Sequence, residues 1–392
     1  MRLRLRAGLR RAPSRALSRT SPCLCQPLPG WPSASNGRGE MHSDGRTSRD
    51  EKGNLHKFPT VIRDSAIIGS KVKTMISKLK DNRVRRTYLG GGRIDAFTGH
   101  VPVDDGALHP EDWMASTTTA FNGALEIEGE GLGRLADGRL VKDVVGTLPV
   151  LVKLLDSDER LVIQAHPTVP FAKAQMNSSV GKTECWYFLP GTAPDACVYL
   201  GFRPGVTREK WKAAFEKQEG LLEILHRVPV QAGDFVFVDG GVPHAIGGGC
   251  FIIELQEPSD LMVVAERFTP SGRQIPEGKL HGGLGFEKMH DVYVYDGVSY
   301  GDLCAKYVRR GGTSVAGATR ILGPDLTDKF EMWRLAGDAH LELGGAGTVV
   351  VVTDGEGTLN GVSVAKGDRL VVSGESALAA AGNVTMVACF KR

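Results

Sequence analysis

Four residues of the chain have side chains suited to binding a metal ion, namely Gln164, His166, Glu184 and His244. One amide, one carboxylate and two imidazoles form a donor set that a borderline divalent ion accepts on a stiff frame. Gln164 and His166 are two residues apart, and a strand directs such a pair to one face. A lone histidine on a strand is more often a core residue, but here four donors recur beside turn residues. The sequence therefore predicts a metal site at the mouth of a β-structure.

Lys182 lies two residues before Glu184. A cation beside a metal ion is repulsive, so the position of this lysine needs a reason. Lys182 is expected either to pair with Glu184 or to bind an anionic substrate, and the residues alone leave both interpretations open.

The segments that carry these residues have the composition of short β-strands. Apolar and aromatic runs alternate with turns rich in Gly and Pro. We expect strands over residues 160–164, 185–189, 235–238 and 251–255. Several short strands separated by turns favour small antiparallel barrels or sandwiches, so the predicted fold class is mainly β.

Two segments depart from the strand pattern. Residues 71–80 predict a short basic amphipathic helix with a solvated polar face. Residues 206–228 interrupt the strands, and a helix is expected to begin near Thr207. The residues predicted to form its apolar side are Trp211, Phe215, Leu221, Leu222 and Leu225.

The C-terminal segment, residues 330–392, again alternates predicted strands with predicted turns. A strand is predicted over residues 349–352 and a turn over residues 354–357, and the Gly-Asp turn and apolar run at residues 366–372 are similar to those at residues 233–237. This similarity predicts a second barrel. No histidine follows Gly367, so this barrel is expected to bind no metal of its own.

The first 39 residues carry eight arginines and no acidic residue. Subtracting this charge of +8 from the net charge of +3 leaves −5 for residues 40–392. The positive net charge of the whole chain is therefore no evidence that the core binds nucleic acid. Residues 1–56 are predicted to be a disordered basic tail or a transit peptide. A mitochondrial transit peptide, a disordered extension and a mistranslated leader ahead of Met41 remain open.

Hydropathy and cysteine usage bear on the compartment. The chain has no apolar run of about 18 residues, which predicts no transmembrane helix and no membrane partner. Its seven cysteines are an odd number without a Cys-x-x-Cys pair. This usage indicates reduced thiols and a cytoplasmic protein, or a mitochondrial one if residues 1–39 are a transit peptide. The oligomeric state stays open.

Several short motifs combine these residues with their neighbours. The Gly-Lys-Thr-Glu-Cys-Trp-Tyr run at residues 181–187 is the most specific of them, and the others lie at residues 110–117, 153–156, 164–167, 233–246 and 254–260. Together they resemble the type I mannose-6-phosphate isomerases, zinc enzymes of the cupin superfamily. The resemblance runs from about Arg86 to the end of the chain.

This resemblance implies two cupin-type antiparallel β-barrels of jelly-roll form, with a helical insertion at about residues 206–228. We therefore divide the chain into the tail, a metal-binding cupin domain at residues 57–300 and a C-terminal cupin-like barrel without metal at residues 301–392. One zinc ion per chain is implied, and its implied ligands are Gln164, His166, Glu184 and His244.

The implied reaction interconverts mannose 6-phosphate and fructose 6-phosphate through an enediol, with the metal as Lewis acid. Lys153 and Lys182 fall where the family keeps pocket lysines. The base that moves the proton between C1 and C2 is expected among Lys182, Lys153 and Glu254. Glu254 could equally orient His244.

Two positions depart from the family pattern. Family members usually carry Ser where this chain has Val162, and many carry a pocket Arg where it has Val264. Arg267, or failing that Arg273, is expected to supply the missing contact to an anionic substrate. The departures spare the metal residues and leave the exact sugar open.

Rival functions therefore stay open. One is a cupin isomerase for another sugar or sugar phosphate, and another is a non-catalytic zinc cupin that binds sugars. A metal dioxygenase fits less well, because such sites usually keep three ligands and open positions for oxygen, and Lys182 has no role in one.

Overall fold

The computed structural model describes residues 75–102, 104–122, 127–312, 315–343 and 347–391. The predictions for residues 1–56 and for residues 71–74 lie outside these ranges. Within them the mainly β, antiparallel fold class is confirmed, because the strands pair antiparallel in three sheets.

The strands are short in the first part of the chain and longer near its end. In chain order they are β1 (Met75–Lys78), β2 (Arg83–Arg86), β3 (Leu108–Met114), β4 (Leu151–Ser157), β5 (Gln164–Ala165), β6 (Glu184–Phe188), β7 (Cys197–Phe202), β8 (Leu225–Pro229), β9 (Phe235–Val238), β10 (His244–Ile246), β11 (Cys250–Gln256), β12 (Val263–Val264), β13 (Val308–Arg309), β14 (Gly317–Leu322), β15 (Glu331–Ala336), β16 (Ala339–Glu342), β17 (Thr348–Leu359), β18 (Val362–Ala365), β19 (Arg369–Ser373) and β20 (Ala377–Phe390).

Helices occupy a smaller share of the described ranges. They are α1 (Gly92–Thr98), α2 (Val141–Val144), α3 (Val169–Gln175), α4 (Arg208–Lys217), α5 (Glu277–His281) and α6 (Tyr300–Tyr307), with a 3-10 turn at Lys288–Val292. Among the described residues, no helix has both the length and the apolar character needed to span a lipid bilayer.

Two sheets pack on each other and position the predicted metal residues. One has the strand order β13-β9-β6-β11-β4-β3-β2, and the other has the order β12-β5-β10-β7-β8. Trp186 and Phe188 of the first sheet share one buried cluster with Val198 and Leu200 of the second. Because side chains alternate along a strand, Glu184 of β6 points to the same side as Trp186, into the space between the sheets.

A third sheet contains the C-terminal strands and one strand from much earlier in the chain. Its order is β1-β19-β17-β20-β15-β14, with β16 on β20 and β18 on β17. The division of the chain at residue 300 stays a prediction.

The helix predicted over residues 71–80 is wrong for residues 75–78, which form β1. Met75 lies opposite Ser373 in the ladder with β19, and Ile76 packs against the buried cluster of the third sheet. A partner strand supplies the backbone hydrogen bonds and outweighs the local helical pattern.

The strand predicted over residues 160–164 is confined to Gln164–Ala165. The carboxylate of Glu266 accepts the backbone N–H of Ile163 at 2.6 Å and also binds the guanidinium of Arg160 at 2.7 Å. The Glu266 side chain therefore takes the place of a strand partner at the Ile163 N–H, while the N–H of Leu161 and the carbonyl of Ile163 keep backbone partners.

The turn predicted over residues 354–357 is also wrong, because these residues lie within β17. The ladder of β17 with β20 shifts register between Val352 and Asp354. Gly355 has a φ of +71°, which a residue with a side chain adopts only with strain. The register shift is a bulge whose extra residue is Thr353, and the strand continues through Gly355.

The helix in the insertion begins where the sequence predicts and ends earlier. The Thr207 hydroxyl accepts the N–H of Lys210 at 3.3 Å and caps α4. Trp211 and Phe215 are buried, as expected for its apolar side. Leu225, predicted on that same side, instead begins strand β8.

Candidate metal centre

Glu184 lies between two imidazoles in the interior of the paired sheets. Its Oε2 is 3.1 Å from Nε2 of His166, and its Oε1 is 3.3 Å from Nε2 of His244. One donor atom from each of the three residues lies within 4.8 Å of the others, and all three side chains are buried. The cluster combines residues from β6, from β10 and from the segment just after β5.

Both imidazoles are oriented by backbone carbonyl groups. Nδ1 of His166 lies 2.9 Å from the carbonyl oxygen of Leu261, and Nδ1 of His244 lies 2.9 Å from that of Val242. Each carbonyl oxygen accepts the Nδ1 proton, which leaves the Nε2 lone pair facing Glu184. Burial and the Lys182 ammonium lower the pKa of His166 to about 3, so this ring stays neutral.

The register of the second sheet also bears on Gln164. His166 follows directly after β5, so it and Gln164 lie at the end of one strand. Gln164 is the register partner of His244 on the neighbouring strand β10. Directly opposed residues point to the same face of a sheet, which places the Gln164 amide beside the His244 ring.

The four residues fit a divalent metal ion. Glu184 Oε1 and His244 Nε2 are buried atoms without a hydrogen-bond partner in the described part of the chain. Buried polar atoms normally have partners, so an unsatisfied carboxylate oxygen beside an unsatisfied ring nitrogen indicates a ligand set. Two imidazole nitrogens, a carboxylate and an amide oxygen match the donors of a borderline ion.

Lys182 contacts this cluster directly. Its Nζ lies 2.5 Å from Glu184 Oε2 and 2.8 Å from His166 Nε2. Burial alone would raise the pKa of Glu184, but the Lys182 ammonium and the His166 ring outweigh burial and hold this pKa well below its usual value. Of the two interpretations left open by the sequence, the structure shows the pairing with Glu184.

Lys153 and Glu254 form a second buried pair. They are register partners on β4 and β11, and Nζ of Lys153 lies 2.7 Å from Oε2 of Glu254. Glu111 adds a carboxylate 3.5 Å from the same ammonium. Burial would lower the pKa of Lys153, but Glu111 and Glu254 outweigh burial and raise this pKa above its usual value. Lys153 is therefore a persistent cation.

Glu254 does not orient His244 directly, because the Nδ1 of that ring binds the carbonyl oxygen of Val242. Glu254 instead accepts the indole N–H of Trp186 at 3.2 Å. The Trp186 ring packs edge-on against His244, with ring centroids 5.5 Å apart. Trp186 thus connects the carboxylate to the metal residues.

A cavity opens beside the cluster. Its lining includes four of the predicted site residues together with two cations that were not predicted: Lys153, Gln164, Lys182, Glu254, Arg86 and Lys279. Val162 and Val264 contribute apolar surface to the same cavity.

The structure does not bring the two predicted substrate arginines into this cavity. The Arg267 guanidinium lies over the rings of Phe215 and Phe286, at 5.2 Å and 5.4 Å from their centroids. Arg273 forms an ion pair with Glu159 at 2.6 Å. Neither side chain belongs to the cavity lining.

Known proteins share sequence with part of this chain. It is 39% identical over 132 residues to the mannose-6-phosphate isomerase ManA of Bacillus subtilis (strain 168). The alignment covers 34% of this chain and 40% of the relative, so the chain spans about two fifths of the length of that curated relative. No protein-family model matches the chain.

Solved structures match over a larger share. The crystal structure of the mannose 6-phosphate isomerase from Bacillus subtilis superposes with a TM-score of 0.60 at 19% identity, over 80% of this chain and 99% of that one. This chain has the mannose-6-phosphate isomerase fold. A mannose 6-phosphate isomerase bound with zinc and yttrium superposes with a TM-score of 0.57 at 15% identity, over 81% of this chain and 99% of that one. The resemblance inferred from the motifs is confirmed.

Within this mannose-6-phosphate isomerase fold, sequence reasoning missed part of the cavity. Arg86 lies on β2 and Lys279 on α5, far in sequence from the metal residues. Arg86 forms an ion pair with Asp260, which belongs to a motif already recognised at residues 254–260, and that motif could have prompted a search for its partner. No comparable signal surrounds Lys279.

Proposed function

We propose that the protein is a zinc-dependent aldose–ketose isomerase that interconverts mannose 6-phosphate and fructose 6-phosphate. The observation that carries the proposal is the buried cluster of His166, Glu184 and His244 beside a cavity lined by the Lys153–Glu254 pair. The relatives in sequence and in fold, which are named mannose-6-phosphate isomerases, support the same reaction.

One zinc ion per chain is proposed to bind through Gln164, His166, Glu184 and His244. Zinc, when bound, supplies a Lewis acid that stabilises negative charge on the sugar oxygens as the enediolate forms. The carbonyl groups of Leu261 and Val242 fix the orientation of the imidazoles for this role.

The chain supplies the groups that move the proton between C1 and C2. Lys182 is engaged with Glu184 and His166, and Lys153 is held as a cation by its carboxylate neighbours. We assign the base to Glu254, a buried carboxylate in the cavity lining. Glu254 takes the proton from one carbon and returns it to the other, while the Lys153 ammonium donates a hydrogen bond to a sugar oxygen.

A second candidate is an isomerase for another sugar, and the apolar side of the cavity favours it. Val264 packs with Ile275 and Leu280, and Val162 packs on the same cluster. Such a wall contacts carbon atoms of a sugar and offers no hydrogen bond to its hydroxyl groups.

The test is a turnover assay of the zinc-loaded protein on mannose 6-phosphate, fructose 6-phosphate and the free sugars. We expect turnover of the phosphorylated pair, and a loss of about 100-fold or more in kcat for Glu254→Gln, which keeps shape but removes the base. Glu159→Gln, at a carboxylate outside the cavity lining, is the matched control and should stay near wild type. Turnover of another sugar alone would favour the second candidate. Binding of zinc and of a sugar phosphate without turnover of any sugar would indicate a non-catalytic sugar-binding protein.

A further inference from the structure

Lys279 is the one cavity-lining cation of the described structure that has no carboxylate partner. Arg86 pairs with Asp260 at 3.1 Å, Lys153 with Glu254 at 2.7 Å and Lys182 with Glu184 at 2.5 Å. The Lys279 ammonium instead donates a hydrogen bond of 3.2 Å to the side-chain oxygen of Asn122. Lys279 is only 6% exposed, although lysines usually lie at the surface.

A second cation shares the same acceptor. Arg86 Nη1 also donates to Asn122 Oδ1, at 3.2 Å. The amide cannot turn away from the two cations, because its nitrogen donates to Glu130 at 2.9 Å. Arg86 already has two carboxylate partners, Asp260 and Glu111, both at 3.1 Å. Within the described ranges the buried Lys279 ammonium has only the neutral amide oxygen, which is unfavourable unless an anion joins it. The geometry therefore indicates an anion site at Lys279, beside Arg86.

The charges around the cavity agree with this interpretation. The four cations are matched in number by four carboxylates: Glu111, Glu184, Glu254 and Asp260. A divalent ion on the metal residues adds two positive charges, which a phosphomonoester dianion would balance. Lys279 lies on α5, which packs against β12 of the second sheet, so a folded element holds the site at the cavity wall.

We propose that Lys279 binds the phosphoryl group of the substrate, with Arg86 held beside it by Asp260, so that the cavity selects sugar phosphates over free sugars. This proposal rests on the proposed isomerase function and names the residue that recognises its substrate class. The phosphoryl group does not react, so Lys279 acts on substrate binding and takes no part in the proton transfer.

The local charges give the site a pH dependence. Burial and the Arg86 guanidinium lower the pKa of Lys279 to about 8, whereas Asp260, Glu111 and Glu130 act in the opposite direction. A bound dianion favours the charged lysine. Affinity for the anion is therefore expected to fall as the pH rises through about 8.

The kinetic test compares Lys279→Met, which keeps length and removes charge, with Lys279→Arg, which keeps the charge. For mannose 6-phosphate we expect Lys279→Met to raise KM by about 10- to 100-fold with kcat within about threefold, the signature of lost uniform binding. Lys279→Arg should recover part of this loss. Any turnover of free mannose should not change. Lys142→Met, at an exposed lysine on α2, is the matched control.

The equilibrium test uses inorganic sulfate, whose charge stays at −2 between pH 7 and pH 9. Calorimetry on the zinc-loaded proteins should show sulfate binding to wild type at pH 7, weaker binding at pH 9, and binding weakened about 10-fold or more in Lys279→Met. Thermal unfolding should show that Lys279→Met is at least as stable as wild type, because a buried charge is removed.

Two outcomes separate this proposal from the proposed function. If wild type isomerises mannose 6-phosphate but Lys279→Met keeps its KM and its sulfate affinity, the anion is held elsewhere and the assignment of Lys279 is wrong. If no sugar phosphate is turned over while sulfate affinity still depends on Lys279, the anion site stands and the isomerase function fails.

Discussion

Trp186 and His244 pack edge to face, with ring centroids 5.5 Å apart, while the indole N–H of Trp186 donates to Glu254 at 3.2 Å. One side chain therefore contacts both a proposed metal ligand and the proposed base. The three residues lie on three strands, β6, β10 and β11, so the distance between metal and base depends on how the two sheets pack.

Trp186→Phe should separate these two contacts. Phenylalanine keeps an aromatic ring against His244 but offers no N–H to Glu254, so a buried carboxylate oxygen loses its donor. We expect the free energy of unfolding to fall by about 1–3 kcal/mol and kcat to drop, with zinc content unchanged. Urea unfolding, turnover and elemental analysis measure the three quantities. A variant with full turnover would show that the indole hydrogen bond does not position Glu254.

His166→Ala and His244→Ala should each lower zinc content from about one ion per chain to near zero, because each removes one of four proposed ligands. Elemental analysis after dialysis against dilute zinc checks this. The control is His226→Ala, which removes a buried histidine whose Nε2 lies 2.9 Å from the carbonyl oxygen of Val298. Full zinc occupancy in both ligand variants would overturn the assignment.

Arg267→Met should leave kcat/KM for the sugar phosphate within about threefold of wild type, since the guanidinium lies over Phe215 and Phe286 outside the cavity lining. The expected cost is in stability, about 0.5–1 kcal/mol for a lost cation–π contact. Steady-state kinetics and urea unfolding distinguish these effects. A large rise in KM would restore Arg267 as the substrate contact predicted from the sequence.

Arg369 connects β19 of the third sheet to the sheet that carries Glu254. It forms a buried ion pair with Asp112 of β3 and a second one with Asp81 at 2.6 Å. Arg369→Met leaves the Asp112 carboxylate buried without its cation, so the free energy of unfolding should fall by about 3–5 kcal/mol.

The control for this prediction is Arg139→Met, which removes the exposed partner of Asp137 and should lower the free energy of unfolding far less than Arg369→Met does. The double substitution Arg369→Met with Asp112→Asn should recover part of the loss, because no buried charge remains unpaired. If Arg369→Met and Arg139→Met lower the free energy of unfolding equally, the buried ion pair does not stabilise the fold more than the exposed one.

Lowering the pH should reduce the free energy of unfolding, because the Glu111 carboxylate becomes protonated. Burial would raise the pKa of this carboxyl, but Arg86 and Lys153 outweigh burial and hold it well below its usual value of 4.5. A folded pKa below the unfolded one stabilises the protein above about pH 4.5, and this stabilisation is lost as the pH falls through the folded value. In Glu111→Gln, which cannot titrate here, the free energy of unfolding should fall less steeply between pH 5 and pH 3. Parallel pH dependences in the two proteins would contradict this.

The sequence by itself determined the fold class and indicated three residues that the structure brings together, His166, Glu184 and His244. Alternating apolar runs between glycine turns predict antiparallel strands, and the strand predicted over residues 185–189 forms as β6, which begins at Glu184. The motif at residues 181–187 was enough to indicate the mannose-6-phosphate isomerase fold. Local composition carries this information because strand propensity and turn chemistry act over a few residues.

Only the tertiary structure decided how the site is assembled. Residues 75–78 have a helical pattern but pair with β19 as strand β1, and the register of β5 with β10 places Gln164 opposite His244. The sequence around Lys279 does not predict a binding site. Its relevant neighbours, Arg86 and Asn122, lie more than 150 residues away along the chain. Contacts between distant segments depend on how sheets and helices pack, and a local pattern does not contain that information.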